Sequence, residues 1–572
     1  MAGNPRNRNG ETMTRDLKAM AAKTYDLLVV GGGITGACIV RDAALRGVSA
    51  ALVEKGDFSH ATSAATSKLI HGGLRYLYNR EFKVVWTSLR ERRIWSDIAP
   101  HMVDPLTFLI PTAGFGIRGR AAVGTGLTVY DWLAYSRNPM TDPDKTIPSH
   151  KHLSRREALA LEPGLECIRP TGAMVYYDRQ MYSPERLTLE CILQAATHGA
   201  DVANYVEVIK FIKEGNTITG ARVRDVGSDR GEFEIKARMT ANAAGPWADI
   251  LMGLLQNGNP SRRLIRSKGI HLITRSLTDN HALGIITGRE PFFILPWRGY
   301  SIVGTTDTVY EGDPDKVGVT ERDINDFLDI VNEGYPRAKL DPSDVLYAYG
   351  GLRPIVDRET KFARRAARKE DSRFASRAAE VYDHETHDGL KGVVSAIGGK
   401  WTTSRQVAEQ VLDLAVAKLG VTAKPCVTDR TPTHGGRVGR FAEFLGRAVA
   451  RYNTISAAVI ENLAKNYGSR MDDVLALTRD DPKLAEQISD RFPDIAAQVV
   501  HAARHEMALT LEDVLFRRTG LGTAGTPGDA AMTKVAAIMA RELDWDRAER
   551  AAQVDRARAK FASWAASSAK DR

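Results

Sequence analysis

The sequence predicts an α/β body followed by an all-α C-terminal domain. From residue 24 to about residue 425, short aliphatic and β-branched runs such as LLVV, SAALV and GVVSAI alternate with helical stretches. From residue 430 onward, apolar residues recur at spacings of three and four with few β-branched clusters, which is typical of packed helices. We therefore predict a body over residues 24–425 and a helical domain over residues 430–572.

The composition is that of an ordinary folded protein. Of the 572 residues, 43% are hydrophobic and 26% are charged, which excludes a fibrous or wholly disordered chain. The four cysteines are far apart and form neither a metal-ligand nor a disulfide pattern, so we predict a cytoplasmic protein without a metal site. The net charge of +9 favours anionic partners. No apolar run reaches the roughly 18 residues that a membrane-spanning helix needs.

The first 23 residues are predicted to form a disordered tail. They are polar and contain few aromatic or β-branched residues. They also lack the apolar segment of a secretory signal, which agrees with the predicted cytoplasmic location.

A complete strand-helix-strand unit opens the body. Gly31, Gly33 and Gly36 separate a buried strand from a helix, and the second strand ends at Glu54. The glycines permit a tight turn, close approach of the backbone to a pyrophosphate and close packing of the helix on the strand. Glu54 is placed to accept hydrogen bonds from ribose hydroxyls, which disfavours a 2′-phosphate. The unit predicts a Rossmann-like dinucleotide-binding domain but does not by itself separate FAD from NAD.

A second glycine-rich junction follows the strand GVVSAI. Gly398 and Gly399 end this strand, and a helix begins a few residues later. Two such junctions fit a long cofactor that lies between two helix N-termini, one of which can stabilise negative charge on a reduced flavin. A plain glycine turn is the alternative at this position.

A series of motifs resembles the FAD-dependent glycerol-3-phosphate dehydrogenases over about residues 24–545. In chain order the motifs are GGGITGACIVRDAALRG at 31–47, SKLIHGGLRYL at 67–77, GPW at 245–247, KGIH at 268–271, IVGTTD at 302–307, YGGLRP at 349–354, GGKWTTSR at 398–405, NYGSR at 466–470, HE at 505–506 and LEDVLFRRT at 511–519. The resemblance implies FAD as the cofactor and a D-amino-acid-oxidase-like body, in which an antiparallel substrate sheet is interleaved with the FAD-binding domain. It further implies oxidation of sn-glycerol 3-phosphate to dihydroxyacetone phosphate, with electrons passing to a membrane quinone.

Three arginines are candidates for binding the substrate phosphate, because a guanidinium group can bind phosphate oxygens bidentately. Arg75 and Arg353 lie among glycines and apolar residues, where a solvated arginine is unexpected. The resemblance implies that both line the substrate site and take part in catalysis, and that Arg377 is a further substrate contact. Internal salt bridges are the alternative for the first two.

Removal of the proton from the C2 hydroxyl needs a base that is neutral near pH 7, which favours histidine. His271 in KGIHLIT is similar to the family's histidine beside the substrate and is the predicted base. His71 is the rival, although the resemblance places its segment along the flavin. A hydrogen-bonded core histidine is the alternative for either residue.

The stretch SKLIHGGLRYL is predicted to hold the flavin with its first half and to reach the substrate with Arg75 and Tyr76. Gly72 and Gly73 let the backbone approach the flavin ring, while Ser67 and Lys68 offer hydrogen-bond donors. The other contacts implied by the resemblance are Thr305 and Lys400 with the substrate, and His71, Gly398, Gly399, Lys400 and Thr402 with the cofactor.

Two segments depart from the family pattern. MYSPERL at 181–187 keeps an arginine but has Ser, Pro and Glu where members carry paired aspartates, and we expect it at the floor of the substrate pocket. A related polyol phosphate is therefore an alternative substrate.

Residues 358–377 carry eight basic and three acidic side chains, which predicts solvated surface, with docking on anionic lipid as the alternative.

Other functions stay open on the sequence alone. A glycerol-3-phosphate oxidase would share nearly every motif but pass electrons to oxygen, whereas a basic non-catalytic protein that binds membrane or nucleic acid would hold no flavin. We predict an enzyme at the inner face of the cytoplasmic membrane with no nucleic-acid partner. The oligomeric state is open, a homodimer included.

Overall fold

The computed structural model describes residues 13–78, 80–114, 116–227, 231–256, 258–278, 280–356 and 378–565. The strands are β1 Thr24–Val30, β2 Ala50–Val53, β3 Leu69–Ile70, β4 Val103–Thr112, β5 Lys151–Ser154, β6 Gly172–Met181, β7 Asp201–Ala203, β8 Val206–Glu214, β9 Thr217–Asp225, β10 Glu232–Asn242, β11 Leu264–Thr274, β12 Ala282–Ile285, β13 Phe292–Trp297, β14 Tyr300–Gly304, β15 Thr308–Tyr310, β16 Val345–Val356, β17 Glu380–Asp383, β18 Val393–Ile397, β19 Gln487–Ser489 and β20 Phe492–Ile495.

The helices of the described residues follow the same chain order. They are α1 Leu17–Ala22, α2 Ile34–Arg46, α3 Arg75–Tyr78, α4 Phe82–Ile98, α5 Arg120–Leu133, α6 Arg155–Leu161, α7 Pro184–Thr197, α8 Ala248–Leu255, α9 Glu321–Gly334, α10 His384–Asp388, α11 Ser404–Leu419, α12 Phe441–Arg451, α13 Ala457–Tyr467, α14 Met471–Asp480, α15 Ala496–His505, α16 Leu511–Asp513, α17 Asp529–Leu543 and α18 Arg547–Ala565. None of these helices is both long and apolar enough to span a bilayer.

The first sheet has the parallel centre that the strand-helix-strand unit predicts. Its strand order is β17-β18-β10-β1-β2-β7, and the pairs from β18 to β7 are parallel. The central strands β1 and β2 are almost wholly buried, because one face packs on helices α2, α7 and α11 and the other on strands β8 to β10 and helices α1 and α8. Helix α2 packs against this sheet and is capped at its C-terminus by Gly47, which has a φ of +79°.

The second sheet is almost entirely antiparallel, and β12 with β4 is its parallel pair. Strand β11 lies between β14 and β16, so that His271 is opposite Gly304 on one side and Tyr349 on the other. The chain passes between the two sheets repeatedly, because β3 to β6 separate β2 from β7 and β11 to β16 separate β10 from β17. The predicted interleaving of the two sheets is confirmed.

The C-terminal region is helical, as predicted, but it also contains a two-stranded antiparallel hairpin of β19 and β20. These strands have three and four residues, which is too short for a periodic pattern to reveal. Helices α12 to α14 enclose a separate apolar core that includes Leu463, Tyr467 and Val474.

The prediction of disorder is wrong for residues 13–23, while the first 12 residues lie outside the described part of the chain. Asp16 caps helix α1 by accepting a hydrogen bond from the amide of Ala19. Leu17 and Met20, three residues apart, are buried in the same apolar cluster as β8 to β10. Arg15 forms an ion pair with Asp225 at 2.5 Å. The composition of residues 1–23 is low in apolar residues, and composition alone does not indicate the few contacts that order residues 13–23.

Candidate active site

A cavity of about 1390 Å³ is lined by residues of both sheets. This volume exceeds the roughly 300–1,000 Å³ of typical small-molecule sites, so the cavity has room for a long cofactor and a small substrate together. The N-terminus of α2 and the turn that leads into α11 both border it.

At one end the three glycines of the first junction have different geometric roles. Gly31 has a φ of +113°, and a Cβ there would lie 2.7 Å from the carbonyl oxygen of Ala243. A Cβ on Gly36 would lie 1.8 Å from the carbonyl oxygen of Gly31, so this glycine permits the close packing of helix on turn. Gly31 and Gly33 border the cavity, whereas Gly36 lies behind them.

The Glu54 side chain is buried beside this turn and borders the cavity. Its carboxylate accepts hydrogen bonds from the amides of Gly32 at 2.6 Å and Gly56 at 2.8 Å. These two bonds fix the orientation of the carboxylate. A carboxylate has about four acceptor sites, so acceptors remain for a hydroxyl-bearing ligand.

The second junction borders the same cavity with Gly398, Gly399, Lys400 and Thr402. Both glycines have a positive φ, +72° and +86°. The Lys400 ammonium donates to the carbonyl oxygen of His71 at 3.2 Å, and the Thr402 hydroxyl accepts from the amide of His71 at 3.3 Å. Burial, together with the charge of nearby Arg75, lowers the pKa of Lys400 to about 8.

These features fit flavin adenine dinucleotide. Backbone amides at the start of α2 suit a pyrophosphate, the Glu54 carboxylate suits ribose hydroxyls, and the turn before α11 offers a second set of donors across the cavity.

His271 on β11 is buried in the cavity wall. Its Nε2 lies 2.8 Å from the Ser67 hydroxyl, and its ring stacks on Tyr349 with centroids 5.0 Å apart. Burial, assisted by the charges of Arg353 and Lys68, holds the pKa of His271 well below its usual value. The imidazole is therefore neutral near pH 7, as a proton acceptor must be.

Arg353 on β16 is partly buried and borders the cavity. Its guanidinium donates to the Thr305 hydroxyl at 2.7 Å, to the Thr306 carbonyl oxygen at 3.0 Å and to the Ser267 hydroxyl at 3.2 Å. Arg75, the first residue of α3, also borders the cavity, but it is exposed rather than enclosed. Tyr76 and Thr305 complete the set of predicted substrate contacts that the structure brings together.

Besides Gly36, two further predicted cofactor contacts, Lys68 and Gly72, do not border the cavity. The Lys68 side chain is buried away from the cavity. Its ammonium pairs with Glu185 at 2.8 Å and lies over the Trp297 ring. The Gly72 amide donates to the Tyr130 hydroxyl at 2.9 Å, and a Cβ there would meet this hydroxyl. Gly73 borders the cavity in its place.

The expectation that MYSPERL forms the floor of the substrate pocket is wrong. Ser183 caps helix α7, Glu185 pairs with Lys68, and Arg186 donates to Glu506 of the C-terminal region at 2.7 Å. None of these three borders the cavity. Arg377 and the basic stretch at 358–377 lie outside the described residues.

Sequence reasoning missed two side chains that organise the site. Tyr349 stacks on His271, and the Ser63 hydroxyl accepts a hydrogen bond from the amide of Ile34, the first residue of α2, at 2.8 Å. The motif YGGLRP contains Tyr349, but its partner depends on the pairing register of β11 with β16. Ser63 lies in a loop without any periodic pattern.

Comparisons with known proteins agree with this geometry. Residues 26–405 match the FAD dependent oxidoreductase family, and residues 426–550 match the C-terminal domain of alpha-glycerophosphate oxidase. A glycerol-3-phosphate dehydrogenase from Synechocystis sp. is 35% identical over an alignment of 545 residues that covers 93% of this chain and 95% of the relative. A mitochondrial glycerol-3-phosphate dehydrogenase from Mesocricetus auratus is 31% identical, covering 96% of this chain and 75% of the relative.

Solved structures show the same relation. The X-ray structure of the glycerol-3-phosphate dehydrogenase from Bacillus halodurans complexed with FAD has a TM-score of 0.76 and 27% identity, with 96% of each chain covered. The L-alpha-glycerophosphate oxidase from Mycoplasma pneumoniae, at 18% identity and a TM-score of 0.51, shares the fold over 72% of this chain and 99% of its own. The motifs, the interleaved sheets and the relatives together show that this chain belongs to the family of FAD-dependent glycerol-3-phosphate dehydrogenases.

Proposed function

We propose that this flavoprotein oxidises sn-glycerol 3-phosphate to dihydroxyacetone phosphate in the cavity between its two sheets. The observation that carries the proposal is that a neutral histidine, His271, lies close to an arginine, Arg353, whose guanidinium group is suited to binding phosphate. His271 pairs with Gly304 across β11 and β14, and Arg353 donates to the hydroxyl of the next residue, Thr305. FAD, when bound, supplies the acceptor for the hydride from C2.

Arg353 and Arg75 bind the substrate phosphate in this proposal. Arg353 is held in place by hydrogen bonds to Thr305 and Thr306. Its side chain therefore loses less conformational entropy when the substrate binds. A guanidinium group presents paired donors to phosphate oxygens. Arg75 approaches from α3, which lets the two arginines contact different oxygens of one dianion.

His271 accepts the proton of the C2 hydroxyl. The Arg353 charge helps to keep its pKa low in the free enzyme. A phosphate dianion at Arg353 offsets that charge, so substrate binding raises the pKa of the base towards the range in which proton transfer is efficient. The Ser67 hydroxyl at 2.8 Å orients the ring, and Tyr349 holds its plane.

A membrane quinone is the proposed final electron acceptor. Part of the cavity lining is apolar and comprises Phe108, Ile110, Val123, Val129, Ile285 and Phe293. Helix α5, which supplies two of these residues, also bears Trp132, which is 74% exposed, and Tyr135 follows its end with 77% exposure. Exposed aromatic side chains are typical of proteins that lie at a membrane interface. An oxygen-using oxidase is the alternative.

The activity is tested by anaerobic titration of the purified holoenzyme with sn-glycerol 3-phosphate. We expect the visible absorbance band of oxidised flavin to bleach with substrate and to stay unchanged with unphosphorylated glycerol. Reoxidation by a short-chain quinone that is much faster than reoxidation by oxygen would support a dehydrogenase. A yellow protein that does not bleach would contradict the proposed substrate, and fast reoxidation by oxygen would contradict the proposed acceptor.

We expect the double substitution Trp132→Ser with Tyr135→Ser to reduce binding to anionic lipid vesicles several-fold, since exposed aromatic rings supply interfacial affinity. Flotation of the protein with vesicles measures this binding. Val226→Ser, at another exposed apolar position, is the matched control and should leave flotation unchanged. Equal flotation of the double variant and the parent protein would remove α5 from the membrane contact.

A further inference from the structure

A buried charge cluster joins the C-terminal region to the loop after β2. The Asp57 side chain is fully buried, three residues beyond Glu54. Arg518 donates to both of its carboxylate oxygens, at 2.6 and 2.8 Å, and Arg517 donates to one of them as well. Both arginines belong to the π-helical turn Val514–Arg518, which follows α16.

Several polar groups around this cluster are also hydrogen-bonded. Asn204 donates to Asp57 and to the carbonyl oxygen of Met507, each at 2.9 Å. Arg518 also donates to the carbonyl oxygen of Glu506 at 3.0 Å, and Arg517 donates to Asp513 at 2.5 Å. A buried network with this many satisfied partners is rigid, and removal of one member leaves an uncompensated charge.

The loop anchored in this way touches both functional parts of the cavity. Residues 54–67 begin with Glu54, whose carboxylate borders the cavity, and include Ser63, which binds the first amide of α2. The Ser59 amide donates to the Gly32 carbonyl oxygen at 3.1 Å. The loop ends at Ser67, which contacts His271. A displacement of Asp57 would therefore move groups on both sides of the cavity.

We propose that Arg517 and Arg518 are positioning residues for the cofactor: through Asp57 they fix the loop 54–67 and thereby set the affinity of the protein for FAD. The inference rests on the proposed use of this cavity by FAD and substrate. It assigns the C-terminal region a part in cofactor binding, although Arg517 and Arg518 themselves do not border the cavity.

The test is Arg518→Lys in the full-length holoenzyme, because lysine keeps the charge but loses the paired donors to Asp57. We expect the FAD dissociation constant, measured by the fluorescence of released FAD, to rise roughly tenfold or more. With saturating FAD, the KM for sn-glycerol 3-phosphate should return to the parent value. The FAD dissociation constant does not depend on turnover, so a loss of FAD affinity is distinguishable from failure of the proposed activity.

Glu506→Gln is the matched control. It weakens the equally buried Arg186–Glu506 pair, which joins the same C-terminal region to α7. The substitution changes only the side chain of Glu506 and keeps the backbone carbonyl oxygen that accepts from Arg518. We expect a lower melting temperature with an FAD dissociation constant within about twofold of the parent. Equal loss of FAD in Arg518→Lys and Glu506→Gln would overturn the proposal, as would unchanged FAD affinity in Arg518→Lys. If Arg518→Lys does not fold, Arg517→Lys takes its place, with the same outcomes.

Discussion

Replacement of His271 by alanine is expected to slow flavin reduction by sn-glycerol 3-phosphate by about a hundredfold or more, since general base catalysis contributes roughly 10²–10⁴. FAD should remain bound because the glycine turns and Glu54 are unchanged. Anaerobic stopped-flow absorbance measures the reduction rate directly. The side chain is buried and neutral, so its loss removes a proton acceptor without leaving a charge unpaired.

The control for this prediction is His71→Ala, which removes another of the histidines that border the cavity. The His71 backbone, rather than its imidazole, holds Lys400 and Thr402, so its truncation leaves those contacts in place. We expect a smaller effect than that of His271→Ala. Unchanged reduction in His271→Ala together with a large loss in His71→Ala would assign the base to His71.

The pH dependence provides a second test of the same base. The pKa of His271 lies well below its usual value in the free enzyme, so the acid limb of kcat/KM should lie well below pH 6.5. Bound phosphate dianion at Arg353 raises the pKa, and the acid limb of kcat should therefore lie at a higher pH than that of kcat/KM. Coincident limbs would contradict the proposed placement of the phosphate.

The second large effect is expected for Arg353→Lys, which should raise the KM for sn-glycerol 3-phosphate. A lysine cannot reproduce the guanidinium contacts with Thr305 and Thr306 while it binds phosphate oxygens. Loss of one charge-assisted hydrogen bond costs about 1.5–3 kcal/mol, which corresponds to roughly a 10- to 150-fold weaker interaction. Steady-state kinetics with a saturating quinone measure this change.

Arg266→Lys is the matched variant for this prediction. Arg266 lies on the neighbouring strand β11, pairs with Asp249 at 2.5 Å and does not border the cavity. Its substitution should leave the KM unchanged. An equal KM for Arg353→Lys and the parent would remove Arg353 from the phosphate site, as would full activity of the parent on unphosphorylated glycerol.

Local chemistry explains which parts of the site could be predicted from the sequence. The glycines at 31, 33 and 36 and Glu54 act within one strand-helix-strand unit, so their placement follows from short-range spacing. The positions of the Lys68 and Tyr349 side chains do not follow from short-range spacing, because they depend on which strands pair and in which register. The register of β3 with β6 places Leu69 opposite Gln180, and the register of β11 with β16 brings Tyr349 to His271.

Long-range docking explains the errors at MYSPERL. Arg186 is satisfied by Glu506, which is 320 residues away in the chain, and Glu185 is satisfied by Lys68. No spacing rule within the segment indicates either partner. The same limit applies to α1. Its two buried side chains pack against strands formed by residues 206–242, which are distant in the sequence.

The interleaved topology also constrains when the cofactor can bind during synthesis. Strand β1 pairs with β10, and Asn242 of β10 pairs in turn with Ser395 of β18, the strand that leads into the second glycine junction. The emerging chain therefore cannot complete the parallel sheet until residues beyond 395 have left the ribosome. Because such distant pairings form slowly, we expect the cofactor to bind only after most of the chain has been synthesised.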